Sequence, residues 1–520
     1  MDKLTREARI SPTLAGQLAE PAGATPAGPA RTSRPFWGDL HNHNEIGYGK
    51  GSLERSYALA RGAMLDVYAF TPHAWWHDLP QDDPKVAQKH VEGFDRVLAR
   101  WGEVRAAAND ADEPGRFTAI VAFEWHSSHY GDYHVLLPGT DGDICRADTL
   151  EGLQDYARCT GALLIPHHPA YKQGWRGANW NAWRADVSPV VDGFSEHGNS
   201  IEPDTHQGMW GHSMGGAERS QSVIEFWNRG GISGLVGSTD NHWGCPGSYA
   251  EGLAAIWAET LTRKGIFDAL RARHTYAVSG DRILVRFGAE KGIMGDIFPP
   301  DAPRTFHYGV EAGGAVDGVE IFKNGRPHFH TFPDHPAESV SGIWYARVEF
   351  GWDALDSPAV TDWTIRIDVS EGELIEVQPS LAGGAGCTER VHGTGDATLS
   401  AYTSRRNSRP TSGCVLKIRG SGQTRVTLEV STSRAGEAGG CGLTGLLDSL
   451  AHHTECAAIS RIFSAPKITL GAALPAEAGA CAGAWTDPSP GRDDFYFLKV
   501  RQSNGQCAWT SPIWFTDRTP

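Results

Sequence analysis

At 520 residues the chain is too long for one ordinary domain, so two packed domains plus a tail are expected. Its 40% hydrophobic and 21% charged residues are an ordinary globular balance that supports a substantial core. The net charge of −15 and the lack of any basic run argue against nucleic-acid binding, because phosphate neutralisation needs clustered Lys and Arg.

Residues 1 to about 33 are Ala/Pro-rich and read as a flexible tail. This stretch has no apolar core long enough for a signal peptide, and no later segment is long enough to span a membrane. A cytoplasmic protein acting on a small molecule, with no membrane or nucleic-acid partner, is expected. The oligomeric state is not encoded in any visible motif. The nine cysteines form no CxxC pair, which speaks against a zinc ribbon; the six in the second half would be disulfides in an exported protein, but without a signal they read as reduced, buried thiols.

From Phe36 onward, short apolar runs repeatedly meet His, Asp or Glu: FWGDLHNH, LDVYAFTPH, FTAIVAFEWH, YHVLLPG, GALLIPHHP, VVDGFSEHG and GLVGSTDNH. Helical spacing lies between several of them. After Ser52, the residues Leu53, Tyr57, Ala60 and Met64 predict a helix ahead of a strand at Leu65–Phe70. The alternation predicts a parallel α/β barrel over residues 34–285, closing with a helix at Thr262–Arg273 and carrying its chemistry at the C-terminal strand ends. Beyond Gly280, stretches such as GVEIFKNGR, WTIRIDVSEG and CVLKIRGSGQTRVTLEV read as strands between turns. They predict an antiparallel β-sandwich-like domain over residues 286–520. A Gly-rich insertion is expected at about 380–490, with one helix near Leu443–His452.

Asp39-Leu40-His41-Asn42-His43 is the strongest single motif. Residues two apart on a strand point to the same side, so His41 and His43 can grip one metal ion. His73, Glu124, His134, the pair His167-His168, the pair Glu196-His197, and Asp240 with His242 are read as ending the other apolar runs. One strand-end histidine is more often a hydrogen-bonded structural residue than a ligand. So many on separate runs point to a metal centre.

The order DLHNH, TPH, a glutamate after an apolar strand, HHP and TDNH resembles the PHP superfamily, named for polymerase and histidinol phosphatase. The resemblance implies a distorted seven-stranded (β/α) barrel holding two or three ions, typically zinc, manganese or iron. The segment GLAAIWAETLTRKGIFDALRARHTYAVSGDRI and the ending AWTSPIWF resemble a branch of unassigned function, related to the hydrolases that include carbaryl hydrolase. Carried over by position, His41, His43, Glu124 and Asp240 resemble the ligands of a first metal, with Glu124 bridging to a second that His168 also holds. Either Asp132 or His134 fills a further position, and His134 is preferred because imidazole suits these metals. His73 and His242 resemble ligands of a third metal.

Two departures stand out. The family has Asp or His where this chain has Gly49, and its TDH reads Thr71-Pro72-His73 here. Two tightly held metals and a weak third site are therefore expected, with Glu45 as the one conceivable replacement. His126, His129, His167, His197, His206 and His212 exceed this requirement and read as ligand-orienting or surface histidines. Trp75, Trp76 and His77 could line the pocket or pack a loop.

The expected activity is metal-dependent hydrolysis, in which a water activated by the metals attacks a phosphorus or carbonyl centre. Asp240, His197 and Glu196 are the candidates for proton handling or substrate contact. The resemblance implies phosphoesters on one side and carbamates, carboxyl esters or amides on the other. No Arg- or Lys-rich phosphate clamp is visible, and Arg271, Arg273 and His274 form the one basic cluster nearby. A metal-binding, catalytically weak scaffold whose β-domain binds a partner or glycan is the alternative. An oxidative iron enzyme fits less well, because the set exceeds a facial triad.

Overall fold

A computed structural model describes residues 33–203, 205, 207–209, 216–333, 339–352, 360–382, 386–392, 396–403, 411–434, 437–459 and 466–520. The expected N-terminal tail therefore lies outside the described residues, apart from Ser33. Every one of the seven apolar runs contains a strand. These seven are β1 (Arg34–Asp39), β2 (Val67–Phe70), β4 (Thr118–His126), β5 (Asp132–Leu137), β6 (Leu163–His167), β7 (Val190–Ser195) and β9 (Gly234–Gly237), and two short strands, β3 (His73–Trp76) and β8 (Gly198–Asn199), begin where a run ends. They are followed by β10 (Leu253–Ala258) and β11 (Thr275–Val278).

Helices lie between them where the spacing predicts. Helix α1 (Leu53–Gly62) starts at Ser52, whose hydroxyl accepts from the Arg55 amide. It ends before Met64, which is exposed rather than part of the buried face. A later helix, Arg263–Arg271, is capped by Thr262 in the same way. The fold is mixed α/β.

The expected parallel barrel is corrected by the hydrogen bonding. Strands β1, β2 and β4 pair in parallel, whereas β5 is antiparallel to both β4 and β6. The physical reason is legible in retrospect. Only Ser127–Gly131 separates β4 from β5, far short of the dozen or more residues that a parallel crossover needs. On the other side of β1, strands β10 and β11 continue the sheet in antiparallel fashion, and β7 with β9 form a separate parallel pair. Among the described strands, the ladder does not close.

The expected division at residue 286 does not divide the sheets. Tyr276 of β11 pairs with Thr510, and strands Val316–Lys323, Asp494–Gln502, Cys507–Thr510 and Ile513–Phe515 extend the first sheet. One apolar cluster joins Tyr68, Trp125 and Tyr276 to Phe287, Phe306, Tyr496 and Leu498. A second cluster, built on Trp344, Phe350, Trp363, Leu416 and Leu428, lies between two five-stranded antiparallel sheets. In one of those sheets Thr361–Ser370 alternates buried and exposed residues along its whole length, the pattern of a strand with one face on a core.

The expected Gly-rich insertion is itself largely strand. Glu437–Leu446 pairs in unbroken register with Arg425–Arg434. Gly445 lies where a Cβ would come within 2.6 Å of Leu450, so glycine there admits a core side chain. The expected helix near Leu443–His452 shrinks to Leu447–Leu450. Of the second-half cysteines, Cys414 and Cys507 are buried thiols, but Cys441 and Cys481 are half-buried and Cys456 is exposed, which corrects the reading of these six as buried. No helix among the described residues is long and apolar enough to cross a membrane.

A chain truncated after residue 285 should fail to fold cooperatively, because β11 would lose its outer partner and the first cluster would lose Tyr496 and Leu498. Circular dichroism and thermal melting check this, and a sharp transition in the fragment would contradict it.

Candidate metal centre

The site forms where the C-terminal ends of β1, β4, β6 and β9 meet. His43 N donates to Asn241 O at 3.1 Å, and Asp240 N donates to His41 O at 2.9 Å. These strand-like bonds hold the segment after β1 against the segment after β9. Asp39 is not turned into the cluster. It accepts from Thr239 N, Thr239 Oγ1 and Gly247 N, and so ties the same two segments together from behind. Burial pushes its carboxyl up to about 6 despite those bonds.

Asp240 occupies the centre. Its Oδ1 lies 3.1 Å from His41 Nε2 and 2.9 Å from His43 Nε2. Its Oδ2 lies 3.1 Å from His167 Nε2 and 3.0 Å from His197 Nε2. Glu124 lies 3.6 Å from His43, 2.9 Å from His73 and 3.4 Å from His126. His73 Nε2 meets His242 Nε2 at 3.2 Å, and His242 Nδ1 lies 3.1 Å from Glu196. Asp240 and His168 both have positive φ, +57° and +31°, a backbone conformation that non-glycine residues adopt at a cost.

The donors fit divalent metal ions. Several histidine nitrogens face one another, as His41 and His43 do at 3.3 Å, yet a neutral imidazole carries only one N–H. Burial holds these rings neutral. It lowers His41 well below its ordinary value, with His167 adding to the effect, and lowers His43 to about 3 and His168 to about 4. Burial also pushes Glu124 well above the usual carboxylate range. Asp240 feels the same burial, but His167, His41 and His242 outweigh it and hold the carboxyl well below that range. His242 rises to about 9, because Asp240 and Glu196 together outweigh its burial. Glu124 Oε2, His43 Nδ1, His168 Nδ1 and both nitrogens of His134 are buried without a hydrogen-bond partner. Such orphans cost ~1–3 kcal/mol each, and a bound cation would remove that cost where it meets them. Imidazole with carboxylate is a donor set suited to zinc, manganese or iron.

Several candidate ligand groups can be drawn. His41, His43 and Asp240 form one, His41, His134 and His167 another, and His43, His73 and His242 a third. Two more are His73, Glu124 and His126, and His167, His168 and His197. The structure therefore brings together His41, His43, His73, Glu124, His134, Asp240 and His242. His168 stands to one side, 3.2 Å from Asp132 and grouped with His167 and His197 rather than with Glu124. His134 does not end a strand. It lies near the start of β5, whose reversed direction brings that start to the same edge.

His126 and His167, set aside as surplus, belong to ligand groups. The signal for His126 was present, since Glu124 and His126 are two apart on one strand, as His41 and His43 are on theirs. Asp132, weighed against His134, is paired with Arg176, whose Nε donates to Oδ2 at 2.7 Å. Burial raises the Asp132 carboxyl, but Arg176 and His126 outweigh it and hold it well below the usual range. Arg176 is the cation beside the cluster that sequence reasoning missed. It also lies over Trp76 and donates to His126 Nδ1 at 3.2 Å.

Trp76 packs against this group, while Trp75 donates to Ala147 O and serves the loop. His129 is exposed, and His206 and His212 lie outside the described residues. The Arg271, Arg273 and His274 cluster is not at the site. A Cβ on Gly234, at the beginning of β9, would meet Arg273 at 2.7 Å, which puts this cluster at the opposite strand end.

A family model described as "Protein of unknown function (DUF3604)" matches residues 246–330. An uncharacterized protein of Chlamydia pneumoniae is 34% identical over 92 residues, 16% of this chain and 15% of that protein. An uncharacterized protein of Chlamydia trachomatis serovar D is 24% identical over 330 residues, 59% of this chain and 49% of that protein. The chain thus matches less than half the length of either relative. A solved two-domain structure from Bacteroides vulgatus, described as containing a predicted PHP-like metal-dependent phosphoesterase, aligns at 12% identity with a TM-score of 0.32. That alignment covers 76% of this chain and 91% of the other.

Gly49 proves to be a packing residue. A Cβ there would lie 2.9 Å from Asn44 N and 3.0 Å from both Asn44 O and His242 O, all backbone atoms. Donors near His73 are His126 and Glu124 in one candidate group and His43 and His242 in another, so Gly49 is not the position on which a further ligand depends. Glu45 is exposed. Gly49→Asp should lower stability by about 1–3 kcal/mol through overpacking and add no metal. Denaturant unfolding and metal analysis read both effects, and a raised metal content would contradict the steric argument.

Proposed function

We propose that this chain is a metal-dependent hydrolase that cleaves an ester-type bond in a small molecule. One observation carries the reading: buried histidines and carboxylates from five or more chain segments converge with unpartnered nitrogens and oxygens on one strand edge. The motif resemblance to the PHP superfamily supports it. His41, His43 and Asp240 would hold one ion, His73, Glu124 and His126 another, and His242, grouped with His43 and His73, would add a donor beside them. Bound there, such ions would polarise the scissile bond and acidify a water.

The chain's own residues supply the rest. His197 Nε2 faces Asp240, and its Nδ1 lies 2.8 Å from the Tyr171 hydroxyl, so its tautomer is set and its ring oriented. We assign it the proton transfer to the leaving group. Glu196, beside His242, orients that ring. Arg176 has Nε and one Nη engaged by Asp132 and His126, and its other Nη has no partner among the described residues. That free corner favours a substrate carrying an anionic group, and so a phosphoester or an acidic ester over a neutral carbamate.

Metal-free protein should lose hydrolysis of a chromogenic phosphoester, and Zn²⁺, Mn²⁺ or Fe²⁺ should restore it. Full turnover after chelation would refute the reading. His197→Ala should lower kcat by about 10²-fold or more with KM little changed, as loss of a proton donor does. Arg176→Gln should instead raise KM for an anionic ester more than for its neutral analogue.

A further inference from the structure

The loop that carries His242 is gripped from outside the metal centre. Its three consecutive carbonyls at 242, 243 and 244 are all taken. His242 O accepts from Lys50 N at 2.8 Å, while Trp243 O and Gly244 O accept from Arg55 Nη1 at 3.1 and 3.2 Å. The other terminal nitrogen of Arg55 reaches Cys245 Sγ at 3.7 Å and the Tyr402 hydroxyl at 3.1 Å. Arg55 is on α1, and Tyr402 is on strand Asp396–Thr403 of the paired five-stranded sheets. One planar guanidinium therefore ties together a helix of the first sheet's layer, the His242 loop and the second sheet pair.

The surrounding chain is shaped to admit it. A Cβ on Gly51 would lie 2.4 Å from Arg55 Nη1, and one on Gly244 would lie 2.3 Å from Lys50 O. The same sheet pair holds the loop at a second point. Tyr249 N donates to Leu381 O at 2.8 Å, and Arg347 spans Tyr249 and Asp281.

We propose that Arg55, braced by Tyr402, is a positioning residue that sets the His242 ring for metal binding, which makes the second sheet pair part of the metal centre. The proposal rests on the metal-dependent reading above. Arg55 touches no ligand side chain, so its effect must pass through the loop backbone, as outer partners of ligands act elsewhere.

The test uses the full chain, stripped of metal, with Co²⁺ binding followed by visible absorption and by metal analysis. Arg55→Ala should weaken one Co²⁺ step by about 10- to 100-fold and leave the others unchanged. Tyr402→Phe and Arg55→Lys should weaken the same step to a smaller degree. In a His242→Ala background, none of these substitutions should change binding further, because residues acting through one another are not additive. Equal weakening of every step, or losses that add fully to that of His242→Ala, would overturn the proposal. Should Arg55→Ala fail to fold, the two milder variants decide by the same criteria. If the unaltered chain binds no Co²⁺, the metal reading itself falls, and the proposal with it, before any variant is compared.

Discussion

Asp240 brings four histidines from three chain segments onto the two oxygens of one buried carboxylate. Taking that charge out of water costs several kcal/mol unless partners compensate it. The compensation here comes from His41, His43, His167 and His197, each within about 3 Å. The positive φ of Asp240 is part of the same arrangement, because it turns the chain after β9 back toward β1 and lets the two segments hydrogen-bond. The registers around the site are consistent with this closure.

The rest of the centre follows from strand direction. Strands β1, β4, β6 and β9 deliver ligands at their ends, and β5 delivers Asp132 and His134 at its beginning because it runs the other way. Arg176 then neutralises Asp132, which leaves the remaining carboxylates to the histidines. The large antiparallel half of the chain is not an appendage. Its last strands complete the first sheet, and its paired sheets press on the loop between His242 and Glu251.

Much of this was legible. The seven runs were strands because apolar stretches bounded by polar residues have few other solutions. His41, His43, His73, Glu124, Asp240 and His242 converge as their positions beside those runs suggested. His126 was missed although it repeats the two-residue spacing of the first motif, and His167 was set aside because a count of expected ligands left no room for it. Gly49 was read as a missing ligand, whereas the backbone atoms of Asn44 and His242 leave it no space for a side chain.

What the sequence determined by itself was local: which stretches are strands, where Ser52 and Thr262 start helices, and which residue types stand at the strand ends. Periodicity and capping act over a few residues and are written in the order of the chain. Tertiary structure alone decided that Thr510 pairs with Tyr276 across more than 200 residues, that Arg176 reaches the centre, and that Arg55 reaches the His242 loop. Those outcomes depend on which buried backbone groups and charges find partners at long range. That is a property of the assembled core, and no window of sequence contains it.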